Sequence, residues 1–386
     1  MPVKTLWQDL YVASQVSDLT TYPGFTAGSD IGLHGTGAAN GIFLLPLTDH
    51  PHLKPSTGTV ENEMAVGEAT RRTLEYNQTI SQPGTVTINM LANAYNISLF
   101  TYLLLQTGCT EINNSPRVLH GTAYTSPSPE VYMGLIRVLA DDMTADGTAD
   151  TASQIFVGCI CTSLTLSGET GGLLTLSAEL QAADHAIASS NLDAVAYNTL
   201  TFSDKAPLKF QDMTFRLNSA QVDTPSFSIT ITNGATAQFY NNGTIQRYVL
   251  GRVNVEGTFG IPFGDTSVGG NDQITDFKAG TDKRMEAYWG SINGNVDNAV
   301  SLSSNVRYTD TEMADAEGEI ITSCPFAGVK DADSNSSIYI RAGYDSAQLN
   351  RGATVATTTS TTTTSTSTTT TSTSTTTTST STTTTP

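Results

Sequence analysis

Past Thr73 the chain alternates apolar and polar side chains in stretch after stretch. In LEYNQTISQPGTVTINML, Val86, Ile88 and Met90 fall two apart, which puts them on one face of a strand. Pro83-Gly84 reads as the join between two such strands. The period then changes. In NAYNISLFTYLLLQTG, Ile97, Phe100, Leu103 and Leu104 fall at helical spacing, with Asn93 or Asn96 available as N-cap and Gly108 as the stop. This predicts one helix laying an apolar face across a sheet. VYMGLIRVLADD is a further apolar run, ended by the acidic turn DDMTADGTADT.

VGCICTSLTLSGETGGLLTLSAELQA reads as a hairpin around GETGG, with Cys159, Cys161, Leu164 and Leu166 answered by Leu174, Leu176 and Leu180. The second half has the same texture. DMTFRLNS places Met213, Phe215 and Leu217 on one face, and SFSITITNG does so with Phe227, Ile229 and Ile231. QRYVLGRVNVEGTFGIPFGD predicts two strands around Gly257, and KRMEAYWGSI, NAVSLSSNVRYTD and SSIYIRAGY add more. The expected fold is all-β with a minor helix, built as β-sandwich or barrel units. The hairpins before and after residue 200 share length and patterning, so 73–202 and 203–350 are expected to be two related units in tandem.

Residues 1–72 are mixed. GFTAGSDIGLHGTGAANG is Gly-rich, IFLLPL is a short apolar run, and DHPHLKPSTG is broken by prolines. The segment is either surface loop with short strands or an extended arm over a neighbouring subunit. In the second case Leu53, Val60, Met64 and Val66 are the candidate inter-subunit contacts. Residues 351–386 are low-complexity, repeating STSTTTT from Thr357. The heptad has no apolar a or d position, which rules out a coiled coil. With nothing to bury, the segment cannot offset the entropy of ordering itself. It is either a disordered tail or a projecting bristle reaching on the order of 100 Å, with Thr361, Ser365, Ser367 and Thr368 as candidate O-glycosylation positions.

Composition narrows the function classes. Only 14% of the 386 residues are charged, and 36 acids against 18 bases leave a net charge of −18. A protein that grips phosphates needs Lys and Arg to displace counterions, so this balance excludes one. It suits a surface that nucleic acid must pass without sticking. MPVKTLWQDLYVAS carries Asp9 and no apolar stretch of signal-peptide length, and SLFTYLLLQ is too short to span a bilayer. Four cysteines do not make a disulfide framework. The expectation is a soluble protein made in the cytoplasm.

Candidate chemistry is sparse. Cys159 and Cys161, one residue apart, share a strand face, whereas a zinc site needs two more ligands and a different spacing. Convergence with Cys109 and Cys324 is the metal alternative, and buried core thiols the structural one. His50 and His52 beside Asp49 sit in a proline-held turn, and HGTGAANG departs from a dinucleotide loop because Asn40 stands at its third Gly position. Asp141-Asp142 and Glu61/Glu63 read as solvated acids. Tyr248, Phe259, Phe263, Tyr288 and Trp289 read as core, because Lys and Arg are scarce around them. No catalytic, cofactor-binding or metal-binding residue is assigned. The chain is expected not to be an enzyme.

Four stretches together resemble the tail tube proteins of long-tailed bacteriophages: TLEYNQTISQPGTVTINMLANAYNISLFTYLLLQTG, VGCICTSLTLSGETGGLLTLSAELQA, APLKFQDMTFRLNSAQVDTPSFSITITNG and RYVLGRVNVEGTFGIPFGD. The resemblance runs from about Thr73 to Arg341. It implies units stacked as rings into a hollow virion tail, assembled in the host cytoplasm, with phage DNA passing transiently through an acidic lumen. Two units per chain would imply three copies per ring, and one unit six. Tape measure and tail terminator proteins are the further partners implied, with no membrane. A second class is an extracellular filament or adhesin-like surface subunit carrying a glycosylated Thr/Ser bristle, against which the missing signal peptide argues, and a third is a glycan-active β-sandwich enzyme using paired carboxylates.

Overall fold

Period-two alternation emerges as antiparallel strands. The structure is a computed structural model, and the residues it describes are 8–16, 42–45, 47–49, 54–60, 78–106, 110–111, 117–122, 132–140, 152–188, 206–239, 245–262, 273–290, 298–316, 319–330 and 336–342. The strands are β1 (Gln8–Val16), β2 (Ile42–Leu44), β3 (Lys54–Val60), β4 (Gln78–Leu91), β5 (Thr110–Glu111), β6 (Arg117–Thr122), β7 (Tyr132–Ala140), β8 (Ala152–Glu169), β9 (Thr175–Ala182) and β10 (Asp184–Ala188). They continue as β11 (Met213–Leu217), β12 (Ala220–Gln221), β13 (Ser226–Thr232), β14 (Thr236–Phe239), β15 (Ile245–Val249), β16 (Asn254–Pro262), β17 (Lys283–Trp289), β18 (Val300–Tyr308), β19 (Glu312–Ala316), β20 (Glu319–Val329) and β21 (Ser336–Ala342). Helix α1 (Ala94–Leu105) follows β4, and α2 (Gln273–Ala279) precedes β17.

Strand β8 organises the rest. At 18 residues it extends about 60 Å. Its first half lies in a ladder ordered β2-β1-β7-β8-β10. Its second half lies between β9 and β13 in the main ladder, which runs β3-β4-β9-β8-β13-β16-β20-β18-β17-β11-β12. The hand-over falls at Gly158, whose φ of 59° only glycine adopts freely. The β7–β8 register slips beside it. Pairing of β8 with β13 and of β6 with β21 carries the ladder across residue 202. Residues 8–60 supply β1, β2 and β3 to these same ladders.

The main ladder is curled. β11 stands five strands from β13, about 24 Å away on a flat sheet. Yet the Phe215 ring lies 5.9 Å from Phe227 and 4.9 Å from Phe259. Phe259 also meets Tyr308 and Phe326 at 5.9 and 5.7 Å. Only a sheet folded round on itself brings these strands together, and the aromatic cluster fills the fold.

Every described side chain of helix α1 is buried, not those of one apolar face alone, and even Asn96, Ser98 and Thr101 are inaccessible. It packs against β6, β8, β9 and β21. Asn93 caps it, its Oδ1 accepting from the Asn96 N–H at 2.8 Å, while Asn298 Oδ1 accepts from Ala94. The helix stops at Leu105, ahead of the expected Gly108, because Gln106 takes the left-handed conformation (φ 52°) and donates from Nε2 to the Leu103 carbonyl. Asn233, fully buried, donates from Nδ2 to the carbonyls of Leu104 and Cys161 at 2.9 and 2.8 Å. One amide thereby satisfies an orphan helix carbonyl and ties the helix to β8.

Two expected turns prove to be strand interior. β4 runs straight through Pro83-Gly84, pairing first with β3 and from Gly84 onward with β9. Pro83 has no N–H to give, and the register with β3 slips between Lys54 and Ser56 to accommodate it. Gly257 sits in mid-β16, and the chain breaks instead between β15 and β16. A Cβ at Gly257 would lie 2.3 Å from the Ser228 carbonyl and 2.5 Å from the Phe326 ring. The glycine admits a side chain from the next strand. The GETGG hairpin stands as expected, turning at Gly171 (φ 82°).

Candidate functional site

Consider β4, β9, β8, β13, β16 and β20 in their ladder order. Their inward positions carry Val86, Ile88, Met90, Leu164, Leu166, Leu176, Ile229, Ile231, Phe259 and Phe326, all buried. Their outward positions align by register into rows. One row reads Asn89, Ser177, Thr165, Thr230, Glu256, Ala327. The next reads Thr87, Glu179, Ser163, Thr232, Asn254. A third reads Leu91, Thr175, Ser167, Ser228, Thr258, Pro325.

The hydroxyls pair with one another across strands. Thr165 and Thr230 meet at 2.9 Å, Ser167 and Thr175 at 2.9 Å, and Ser177 donates to Asn89 Oδ1 at 2.6 Å. Asn89 in turn donates to Asp49 at 2.8 Å, and Asn254 to Glu256 at 2.5 Å. The face is therefore mostly small polar groups, several of them paired with one another, with Leu91 at its β4 edge and Pro325 and Ala327 at its β20 edge. Among the described side chains its charges are Glu169, Glu179 and Glu256. None of the six strands contains a lysine or an arginine anywhere along its length. A polyanion approaching it finds a weakly negative field and no cation against which to release counterions.

The thiols offer no chemistry. Cys159 and Cys161 lie in the main core, on the face opposite Ile160, which packs with Tyr132 and Tyr248. Burial pushes the Cys159 thiol up to about 12, a backbone hydrogen bond at Leu135 offsetting part of the shift. Burial likewise raises Cys161, which donates to the Ser163 carbonyl. Cys324 is pushed up to about 12 by burial, with the Lys283 charge drawing it slightly back. Such thiols are not nucleophiles near neutral pH. These three are free, and no cluster of three or more His, Cys, Asp or Glu could hold a metal ion among the described residues.

Of the residues singled out in the sequence, Tyr248, Phe259 and Trp289 are core, whereas Tyr288 is half-exposed beneath the Arg216 guanidinium at 5.3 Å. Val60 ends β3, whose sole partner among the described residues is β4. Leu53, Met64, Val66, Thr361, Ser365, Ser367 and Thr368 lie outside the described residues. So do Cys109, His50, His52, Phe263, Asp141, Asp142, Glu61, Glu63 and HGTGAANG. Sequence reasoning missed the outward face, although Thr and Ser at alternate positions in Lys- and Arg-free strands would have marked it.

Residues 78–328 match the family described as phage tail tube protein. The match covers about two thirds of the chain. The chain belongs to the phage tail tube family. The matched span opens on the first residue of β4 and closes one residue before the end of β20, so it contains the whole outward face. It also contains the GETGG hairpin and Asn233, which ends the SFSITITN stretch. No curated protein matches the chain. As a tail tube protein it is a structural component of the virion tail.

Proposed function

We propose that this chain polymerises into a tube and that the cation-free hydroxyl face forms the inner wall, a channel for DNA leaving the capsid. That face, six strands wide and lying wholly within the family match, is the observation that carries the reading. DNA moving through a tube meets the same wall thousands of times. One Lys or Arg per copy would make each pass a counterion-releasing contact, and friction would scale with tube length. A wall of paired hydroxyls with sparse carboxylates gives repulsion at long range and no fixed cationic contact at short range.

Lateral joining is assigned to the open edge of β3, which bears Val60 and is flanked by Leu53, Met64 and Val66, through continued strand pairing. The products are stacked trimeric or hexameric rings, according to whether 73–202 and 203–350 count as two units, capped by tail terminator and measured by tape measure protein. Assembly takes place in the host cytoplasm. Thr361, Ser365, Ser367 and Thr368 belong to a Thr/Ser tail open to O-glycosylation. The test is negative-stain microscopy of the purified chain across protein and salt concentrations. Hollow tubes are expected, and monodisperse globules under every condition would overturn the reading.

A further inference from the structure

Among the described residues three large hydrophobic side chains are exposed: Leu173, Met313 and Ile320. All three lie at one end of the main ladder. Leu173 follows the β8–β9 turn, and β13 begins at that same level, since Ser226 pairs with Glu169. β16 ends there and β20 begins there, Pro262 pairing with Ile321. The β19–β20 hairpin projects beyond it, with Met313 opposite Thr322 and Asp315 opposite Ile320.

The hairpin's apolar face is the core row of β20 carried past the end of the core. Down this row Phe326 is 2% exposed, Cys324 0% and Thr322 5%, and then Ile320 is 49%. Nothing described in the chain covers Ile320 or Met313. Exposed Glu312 adjoins Met313 on the other face of the hairpin, opposite Ser323, and exposed Asp310 nearby is occupied in capping Thr311. At the opposite end of these same two strands the charge reverses. Arg252 precedes β16 and Lys330 follows β20, and continuing the register Glu256↔Ala327 puts them at adjoining positions. Both are exposed and neither forms an ion pair with a described residue, while Val253 and Val329 beside them are half-buried. Lys209 beside Leu173, and Asp184 at the far side of β8, lie outside this corner.

We propose that the β19–β20 hairpin of one copy docks on the Arg252–Lys330 end of a second copy, placing Met313 and Ile320 against Val253, which packs on the same core-facing side, and Glu312 against Arg252 and Lys330. The two surfaces belong to opposite ends of the same strands, so the contact is heterologous. It repeats without closing and generates a filament along the strand direction. Opposite charges at the two ends also set polarity: end-to-end inversion would bring acid to acid or base to base. This contact rests on the tube reading and names the surface that joins successive rings.

The experiment compares tube length for the full-length wild type, Met313→Ser/Ile320→Ser, and Arg252→Glu/Lys330→Glu, by microscopy and sedimentation at matched concentration. All four positions are exposed or marginal to the core, and thermal unfolding by circular dichroism checks that each variant folds. Both variants are expected to shorten tubes by about tenfold or more, and adding Glu312→Lys to the charge-reversed variant is expected to lengthen them again. Wild-type tubes with both variants at full length, or a charge-reversed defect left unrepaired by Glu312→Lys, would overturn this contact and leave the tube reading standing. A wild-type chain that stays monomeric sinks both.

Discussion

Two regions of one curled sheet treat charge in opposite ways. Strands β4, β9, β8, β13, β16 and β20 carry no cation at all. Strands β11, β17 and β18 carry Arg216, Lys283, Arg284 and Arg307. Each of these four is engaged in place. Arg284 pairs with Glu286 at 2.8 Å, Arg307 with Asp282 at 2.7 Å, and Arg216 lies over Tyr288. Lys283, its side chain 1% exposed, pairs with Asp276 of α2 beside the Tyr308 ring. The fold evidently accepts cations on its strands, so their absence from the first region is not a demand of the sheet. On the proposed channel reading it belongs to what that surface faces.

The largest effect should come from breaking that segregation. Thr87 and Thr258 point outward, are exposed, and have little else to do structurally. Thr87→Lys with Thr258→Lys should leave assembly intact and give the assembled protein an affinity for duplex DNA that the wild type lacks. Repeated around the wall, the new contacts should raise binding at 50 mM salt by about 10³-fold, with most of the gain lost by 200 mM. A filter-binding salt series reads this directly. Variant and wild-type tubes that ignore DNA equally would show that the face is not a channel wall.

In the second region the sharpest change is Asp276→Asn, which leaves the Lys283 ammonium buried and unpaired. A loss of about 3 kcal/mol is expected in urea unfolding. Lys283→Met combined with Asp276→Leu should recover much of it, because the apolar pair removes both desolvation terms. If Asp276→Asn were silent, the cations here would be as dispensable as surface charges, and the contrast between the regions would lose half its content. Asn233→Ala should cost about 2 kcal/mol, since it strands the buried carbonyls of Leu104 and Cys161. Thermal melts should show that loss with assembly polarity unchanged.

How much of this was legible in the sequence varies with the range of the interaction. The GETGG hairpin, the faces of β11 and β13 and the Asn93 cap are local, set by alternation and by one side chain three residues from its partner. Pro83-Gly84 and Gly257 misled because their reasons are not local. One accommodates a register slip with β3, and the other makes room for a Phe326 ring 69 positions away in the chain. The burial of the polar as well as the apolar described side chains of α1 depends on β6, β8, β9 and β21 packing against it, which no helical period can announce. The candidate face was half legible: the missing cations stand in plain view, but only the registers show that the hydroxyls line up in rows across as many as four neighbouring strands.

The smallest effect tests whether those hydroxyls are there for stability. Thr165 and Thr230 share a 2.9 Å hydrogen bond on the outward face. Replacing both with Val removes donor and acceptor together and leaves nothing buried and unpaired, so the double change should stay within about 0.5 kcal/mol of wild type. Valine is at least as good a strand former as threonine, and its shape is nearly the same. Stability alone would therefore have tolerated Val at these positions. A loss well above 1 kcal/mol in the double variant would return the hydroxyl rows to a purely structural role. A near-zero change, with assembled protein that now clumps through an apolar wall, would separate the two purposes: the inward alternation holds the fold, and the outward alternation keeps the surface wet, uncharged by cations and slippery to a polyanion.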